Sequence, residues 1–285
     1  MYPVLFLQQL IASSTHLFAK SITATLHPAM VVLLRGCFSC LAYGTWMIFQ
    51  RSKLKPFDKK DLIGFLILGL INIPINQLMF IWGVSFTTAP NAALAYALTP
   101  AFVLVIASVF FGEKFTFWKT VGIVIAIIGT ILVLLERGLE LNSKHFWGNI
   151  MVLGASCSWA IYTILGKKYA QKYGALQSTA LSMMSGLLIY IPIFGLLPVE
   201  FNLSVITPFN WFQLFYLGVI TSGAGYALWY YALTKGDASK VSVFNNLQPI
   251  FTTILAYIFM GNQPSGLFIV GGAIAIIGVI LTQRG

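Results

Sequence analysis

Ten apolar runs, each about the length of a bilayer-crossing helix, follow one another with hardly a gap between them. They lie near residues 3–23, 29–49, 62–84, 90–111, 118–136, 148–169, 176–196, 210–232, 241–260 and 265–282, bounded by charges, proline or glycine. A spanning helix needs about 20 predominantly apolar residues. Ten of them use roughly 200 of the 285 residues, which leaves short loops and no room for an extramembrane domain. Charged residues are only 8% of the chain and apolar ones 58%, whereas a soluble domain carries about 25% charge. The runs do not alternate polar and apolar residues, as the strands of a membrane barrel would. The sequence therefore predicts an all-α membrane protein with ten transmembrane helices. The first run lacks a basic leading segment and a small-residue cleavage site, and reads as a retained helix.

The loop charges give the expected orientation. With the N-terminus in the cytoplasm, inner segments hold Arg51, Lys53, Lys55, Lys59, Lys60, Lys114, Lys119, Lys167, Lys168, Lys172, Lys235, Lys240 and Arg284. Outer loops hold only Arg137 and Lys144. That asymmetry predicts cytoplasmic N- and C-termini, in a bacterial inner membrane. The net charge of +10 follows from these loop lysines and is not read as a nucleic-acid footprint. Cys37, Cys40 and Cys157 all fall inside apolar runs and read as packing residues. No metal site and no cofactor are expected.

The chain also matches itself at an offset of 149 residues. Residues 100–132 lie over 249–281 without a gap and pair Pro100 with Pro249, Gly112 with Gly261 and Gly122 with Gly271. The string AIIG recurs at 126–129 and 275–278. Two repeats are expected, 1–137 and 146–284, with five helices each. An odd number of helices per repeat inverts the second in the membrane, and inverted repeats characterise alternating-access transporters with a site at the repeat interface.

Polar residues inside apolar helices are costly unless they face protein or water. Helix three carries Asn72, Asn76 and Gln77 near mid-depth, helix four Tyr96 and Thr99 before Pro100, and helix nine Asn245, Asn246 and Gln248 before Pro249. A proline deprives the carbonyl four residues earlier of its donor, which here points to Tyr96 and Asn245 at equivalent repeat positions. These groups are candidates to hold a dehydrated polar substrate; the competing reading is two kinks satisfied by their neighbours. His16 is the one titratable group near the middle of helix one and suits either a proton relay or a structural hydrogen bond. All seven carboxylates lie in loops or at helix ends, so a cation/proton exchange through a buried acid is disfavoured. Lys20 and Arg35 are the cations within the spans. Lys20 reads as snorkelling from its helix end. Arg35 reads either as a structural partner of Glu136 or as a binder of a substrate carboxylate or phosphate, and both are grouped with Pro100 and Pro249 as structural or gating residues.

The segment TTAPNAALAYALTPAFVLVIASVFFGEKFTFWKTVGIVIAIIGTILVL resembles the first EamA-type repeat of the drug/metabolite transporter superfamily. In the second half SWAIYTILGKK and YALWYYALTKGDASKVSVFNNLQPIFTTILAYIFMG are similar to the same repeat. The resemblance implies a central cavity between the halves and movement of a small polar metabolite. It also places Trp159 and Tyr162 of helix six, and Tyr226, Trp229 and Tyr230 of helix eight, on cavity-lining helices, where rings can stack on an aromatic side chain or hold a quaternary ammonium. Interfacial belts use the same residue types.

The expected function is secondary-active or facilitative transport of an amino acid, aromatic or apolar and exported, by a monomer or weak dimer in the lipid bilayer. Choline-like cations and phosphorylated sugars are the alternatives. A membrane-embedded enzyme is the least favoured, since HExxH, GxSxG and Walker sequences are missing.

Overall fold

In the computed structural model the described residues are 1–87, 89–114, 116–135, 143–260 and 266–284, and among them the chain is helical and holds no strand. The helices are α1 (Tyr2–Ile22), α2 (Pro28–Phe49), α3 (62–86), α4 (Ala89–Ala97 and Thr99–Phe111), α5 (Phe117–Leu135), α6 (Ser143–Tyr173), α7 (Ala175–Leu196), α8 (208–233), α9 (238–260) and α10 (Gly266–Thr282). Each falls on one of the apolar runs. The largest difference is α6, which begins before its run and continues past it through Lys172, since no Gly or Pro occurs between Gly166 and Gly174. Four stretches, Pro28–Phe49, Lys59–Phe86, Phe146–Tyr173 and Ala175–Leu196, are long and apolar enough to cross a membrane.

Local chemistry sets the helix ends. His27 Nδ1 accepts the Ala29 N–H at 3.2 Å while Pro28 occupies the first turn, where its missing N–H costs nothing. Thr207 and Asn210 form a reciprocal capping box at the start of α8. A single residue, Gly174 at φ +88°, turns α6 into α7, a conformation that a side chain would strain.

The outside is apolar, and polar side chains are sealed among the apolar residues of the core. Leu41, Ile48, Phe49, Phe110 and Leu196 stand on the outside. Gln9, Ser13, Asn72, Asn76, Ser222 and Asn246 are sealed within. An apolar exterior that leaves the polar side chains to the inside suits a lipid solvent.

Packing follows the internal repeat. Gly129 of α5 comes so close to Gly271 and Ala275 of α10 that a Cβ there would collide with backbone, and Gly278 meets Gly122 and Ala126 in the same way. Those two contacts are exchanged by the 149-residue offset. The other helix pairs behave alike: α3 on α7 matches α8 on α2, α1 on α9 matches α6 on α4, and α1 on α8 matches α6 on α3.

Irregular backbone sits mid-helix in equivalent places. Residues Ile71–Gln77 of α3, with Pro74 inside, and Tyr216–Gly225 of α8 form wide π-type turns, a feature frequent at functional sites. In α4 the helix is interrupted at Leu98, and in α9 it narrows to a 3₁₀ stretch over Val243–Leu247. Pro100 and Pro249 therefore stand in the first turn of the second half-helix, and do not kink a continuous one.

Candidate functional site

The interruptions surround one cavity between α1, α2, α3, α4, α6, α8 and α9. Its wall includes eight of the sequence-predicted binding residues, His16, Asn76, Gln77, Tyr96, Trp159, Tyr226, Asn245 and Gln248, together with Arg35. Gln8, Thr15, Phe80, Thr221 and Gly225 complete much of the remainder.

Two polar networks hold the wall. On one side Gln9 Nε2 and Gln248 Nε2 both donate to Asn245 Oδ1, at 3.0 and 3.3 Å, and His16 Nε2 lies 2.9 Å from Gln248 Oε1. Since Gln248 spends its amide on Asn245, its oxygen must accept from His16, which fixes the Nε2–H tautomer by inference from the network. On the other side Asn76 Nδ2 donates to Ala155 O at 2.7 Å and to Tyr96 Oη at 3.2 Å, while Gln77 Nε2 donates to Asn72 Oδ1 at 3.2 Å. The His16 ring meets the edges of Phe80 and Tyr96, and Trp159 packs edge-on against Tyr226 with centroids 4.8 Å apart.

These networks leave polar atoms unspent. Among the described residues, buried Gln8 Oε1, His16 Nδ1, Arg35 Nη1, Gln77 Oε1 and Asn245 Nδ2 have no hydrogen-bond partner, and all five residues line this cavity. Buried polar groups are otherwise almost always paired. The cavity thus offers donors (Arg35, Asn245) and acceptors (Gln8, Gln77, the bare Nδ1 of His16) to one small molecule. Its described lining contains one cation and no carboxylate.

Six predicted residues pack behind the wall. Asn72 Nδ2 faces Tyr162 Oη and Met183 Sδ. Thr99 and Ser156 share a hydrogen bond of 2.7 Å. Asn246 donates to Val243 O and accepts from Thr130. Tyr162 bonds Ser182 and stacks on Tyr230 at 5.1 Å, and Trp229 Nε1 donates to Thr163 Oγ1 at 3.0 Å. Tyr230 reaches the Tyr162 carbonyl. Each has spent its polar group on protein.

The two intramembrane cations differ. Lys20 Nζ donates to the carbonyls of Val84, Ser85 and Thr87, at 3.0, 3.3 and 2.7 Å, and so caps the end of α3. Arg35 turns into the cavity, where its Nε donates to Ser222 Oγ at 2.7 Å and its Nη2 to Thr221 Oγ1 at 3.3 Å. Glu136, the partner expected from the sequence, lies outside the described residues. Gln8, Thr15 and Thr221 escaped the sequence reading because isolated polar residues in an apolar run carry no periodic signal of facing.

Similarity to known proteins agrees with this picture. A model of the EamA-like transporter family matches residues 2–135 and again 146–284. An uncharacterized transporter of Archaeoglobus fulgidus is 29% identical over 98% of this chain and 96% of its own. A probable terminal-alkyne amino-acid exporter of Streptantibioticus cattleyicolor is 26% identical over 79% of this chain and 74% of its own. One solved crystal structure shares the fold with a TM-score of 0.79, at 15% identity, over 99% of this chain and 95% of that one. Matched by the family in both halves and clothed in apolar helices, the chain is an integral membrane protein of the EamA-like transporter family.

Proposed function

We propose that this transporter moves an amino acid, with an aromatic or apolar side chain, by alternating access of the central cavity, in the direction of export. The observation that carries the reading is the set of five unspent polar atoms, donors and acceptors both, around a cavity lined by one cation and by the rings of Trp159, Tyr226 and Phe80. A zwitterion needs both kinds of partner, and the rings suit an apolar side chain. The amino-acid exporter among the relatives supports the same class.

In this reading ten helices span the bilayer as two inverted repeats, 1–137 and 146–284. The exchanged packing of α5 against α10 and the two separate family matches support that arrangement. The substrate contacts are His16, Asn76, Gln77, Tyr96, Trp159, Tyr226, Asn245 and Gln248, and His16 Nδ1 is the atom available to a coupled proton. Quaternary ammonium compounds would use the same rings but would meet the charge of Arg35, and sugar phosphates would have that single cation for two charges.

A thermal-shift screen of metabolites on the purified protein tests the substrate class. A ligand at a hundredfold its Kd stabilises the native state by about 2.7 kcal/mol. Hits among aromatic or apolar amino acids are expected, and a screen in which only choline-like cations or sugar phosphates shift the melting point contradicts the reading.

A further inference from the structure

We propose that Arg35 is the anchor for the substrate's carboxylate; the assignment rests on the amino-acid reading and sharpens it. Arg35 is 2% exposed, so its charge is nearly withdrawn from solvent. A guanidinium carries five N–H donors in a fixed fork. Here two nitrogens are spent on the hydroxyls of Ser222 and Thr221, and Nη1 has no partner among the described residues.

The two hydroxyls orient the fork without neutralising it. Thr221 donates its own proton to Leu217 O at 2.5 Å, which turns a lone pair toward Arg35. Both hydroxyls come from the wide turn Tyr216–Gly225 of α8. An arginine fixed by neutral groups in a membrane interior keeps a net charge at a cost of about 3 kcal/mol or more, which a counter-anion offsets. No acid lines the cavity among its described residues, so the anion that fits is one brought by the ligand.

A carboxylate matches the site better than a phosphate. One guanidinium balances one negative charge, and a phosphomonoester carries up to two near neutral pH. Gln8 Oε1 and Gln77 Oε1 remain as acceptors on the wall, suited to the ammonium of an α-amino acid. The required ligand is therefore a compound with a free carboxyl group, and blocking that group removes recognition even when the ammonium and the ring are kept.

The test compares binding to the purified full chain of phenylalanine, phenylalanine amide, 3-phenylpropanoate, choline and glucose 6-phosphate. Phenylalanine is expected to bind on the order of 10- to 100-fold more tightly than its amide, the loss of one charge-assisted hydrogen-bonded pair. Arg35→Gln should level the two, and Arg35→Lys should keep part of the preference because a point charge replaces a fork. The wild-type comparison needs no variant, so misfolding of Arg35→Gln leaves the test intact. If the amide binds as well as phenylalanine, the anchor is refuted and the amino-acid reading survives. If phenylpropanoate binds and phenylalanine does not, the anchor stands and the amino-acid reading falls. Binding of choline or glucose 6-phosphate alone, or of none of the panel, overturns both.

Discussion

Adjacent residues of one type are divided by helix geometry between the cavity and its supports. Asn245 faces the cavity with an unspent amide while Asn246 is tied to Val243 and Thr130. Neighbours in the 3₁₀ stretch Val243–Leu247 point about 120° apart, so residue type in the sequence marked the right levels and left the facing open. Trp159 and Trp229, on different helices, are likewise divided between the cavity and its support. Replacing Trp229, fully buried and bonded to Thr163, with alanine should cost about 3–5 kcal/mol of stability, read as a lower melting temperature. Trp159→Phe should keep the melting temperature near that of the native protein and weaken substrate binding severalfold. A variant pair with the opposite pattern would show that the two rings are assigned the wrong way round. Arg35 is the residue whose surroundings the sequence could least show, because Ser222 and Thr221 reach it from a helix 186 residues or more away in the chain.

The elements themselves were largely legible. Apolar runs between charges mark all ten helices to within a few residues at most ends, because a lipid-facing helix must be apolar along its whole length. The prolines also marked irregular backbone. What the sequence did not show is its form: an interrupted α4, a 3₁₀ stretch in α9 and wide turns in α3 and α8, which depend on neighbouring helices to satisfy freed backbone groups. The α5–α10 pair depends on close backbone approach at Gly129 and Gly278, as small residues permit in membrane helices. Gly129→Leu and Gly278→Leu should each destabilise the protein, by about 1–3 kcal/mol or more, and by similar amounts because the two contacts are images of each other. Thermal unfolding in detergent checks this. One tolerated variant and one destabilised variant would mean that the two halves are not packed equivalently.

At the scale of the molecule, the ends of the two halves are held together by charge. Lys119 pairs with Glu113 at 3.0 Å and with Asp237 at 3.2 Å, and Glu113 also takes a hydrogen bond from Ser239. Lys172 pairs with Asp61 at 2.6 Å and with Asp58 at 3.3 Å. If the termini are cytoplasmic, as the loop charges predict, both clusters lie at that end of the protein. In a variant whose Cys37, Cys40 and Cys157 are replaced, a cysteine at Ser204 should be labelled by an impermeant reagent from outside intact cells. A cysteine at Ser52 should be labelled only after permeabilisation, and outside labelling at Ser52 would reverse the orientation. On the proposed function, an amino acid crosses the membrane through the cavity between the halves. Counterflow of radiolabelled phenylalanine in proteoliposomes tests it most directly, with native protein beside Asn76→Ala and Trp159→Phe variants that fold. Uptake driven by unlabelled phenylalanine on the trans side is expected, severalfold slower in both variants. Counterflow that is missing for every aromatic and apolar amino acid, or that both variants support at the native rate, would contradict it.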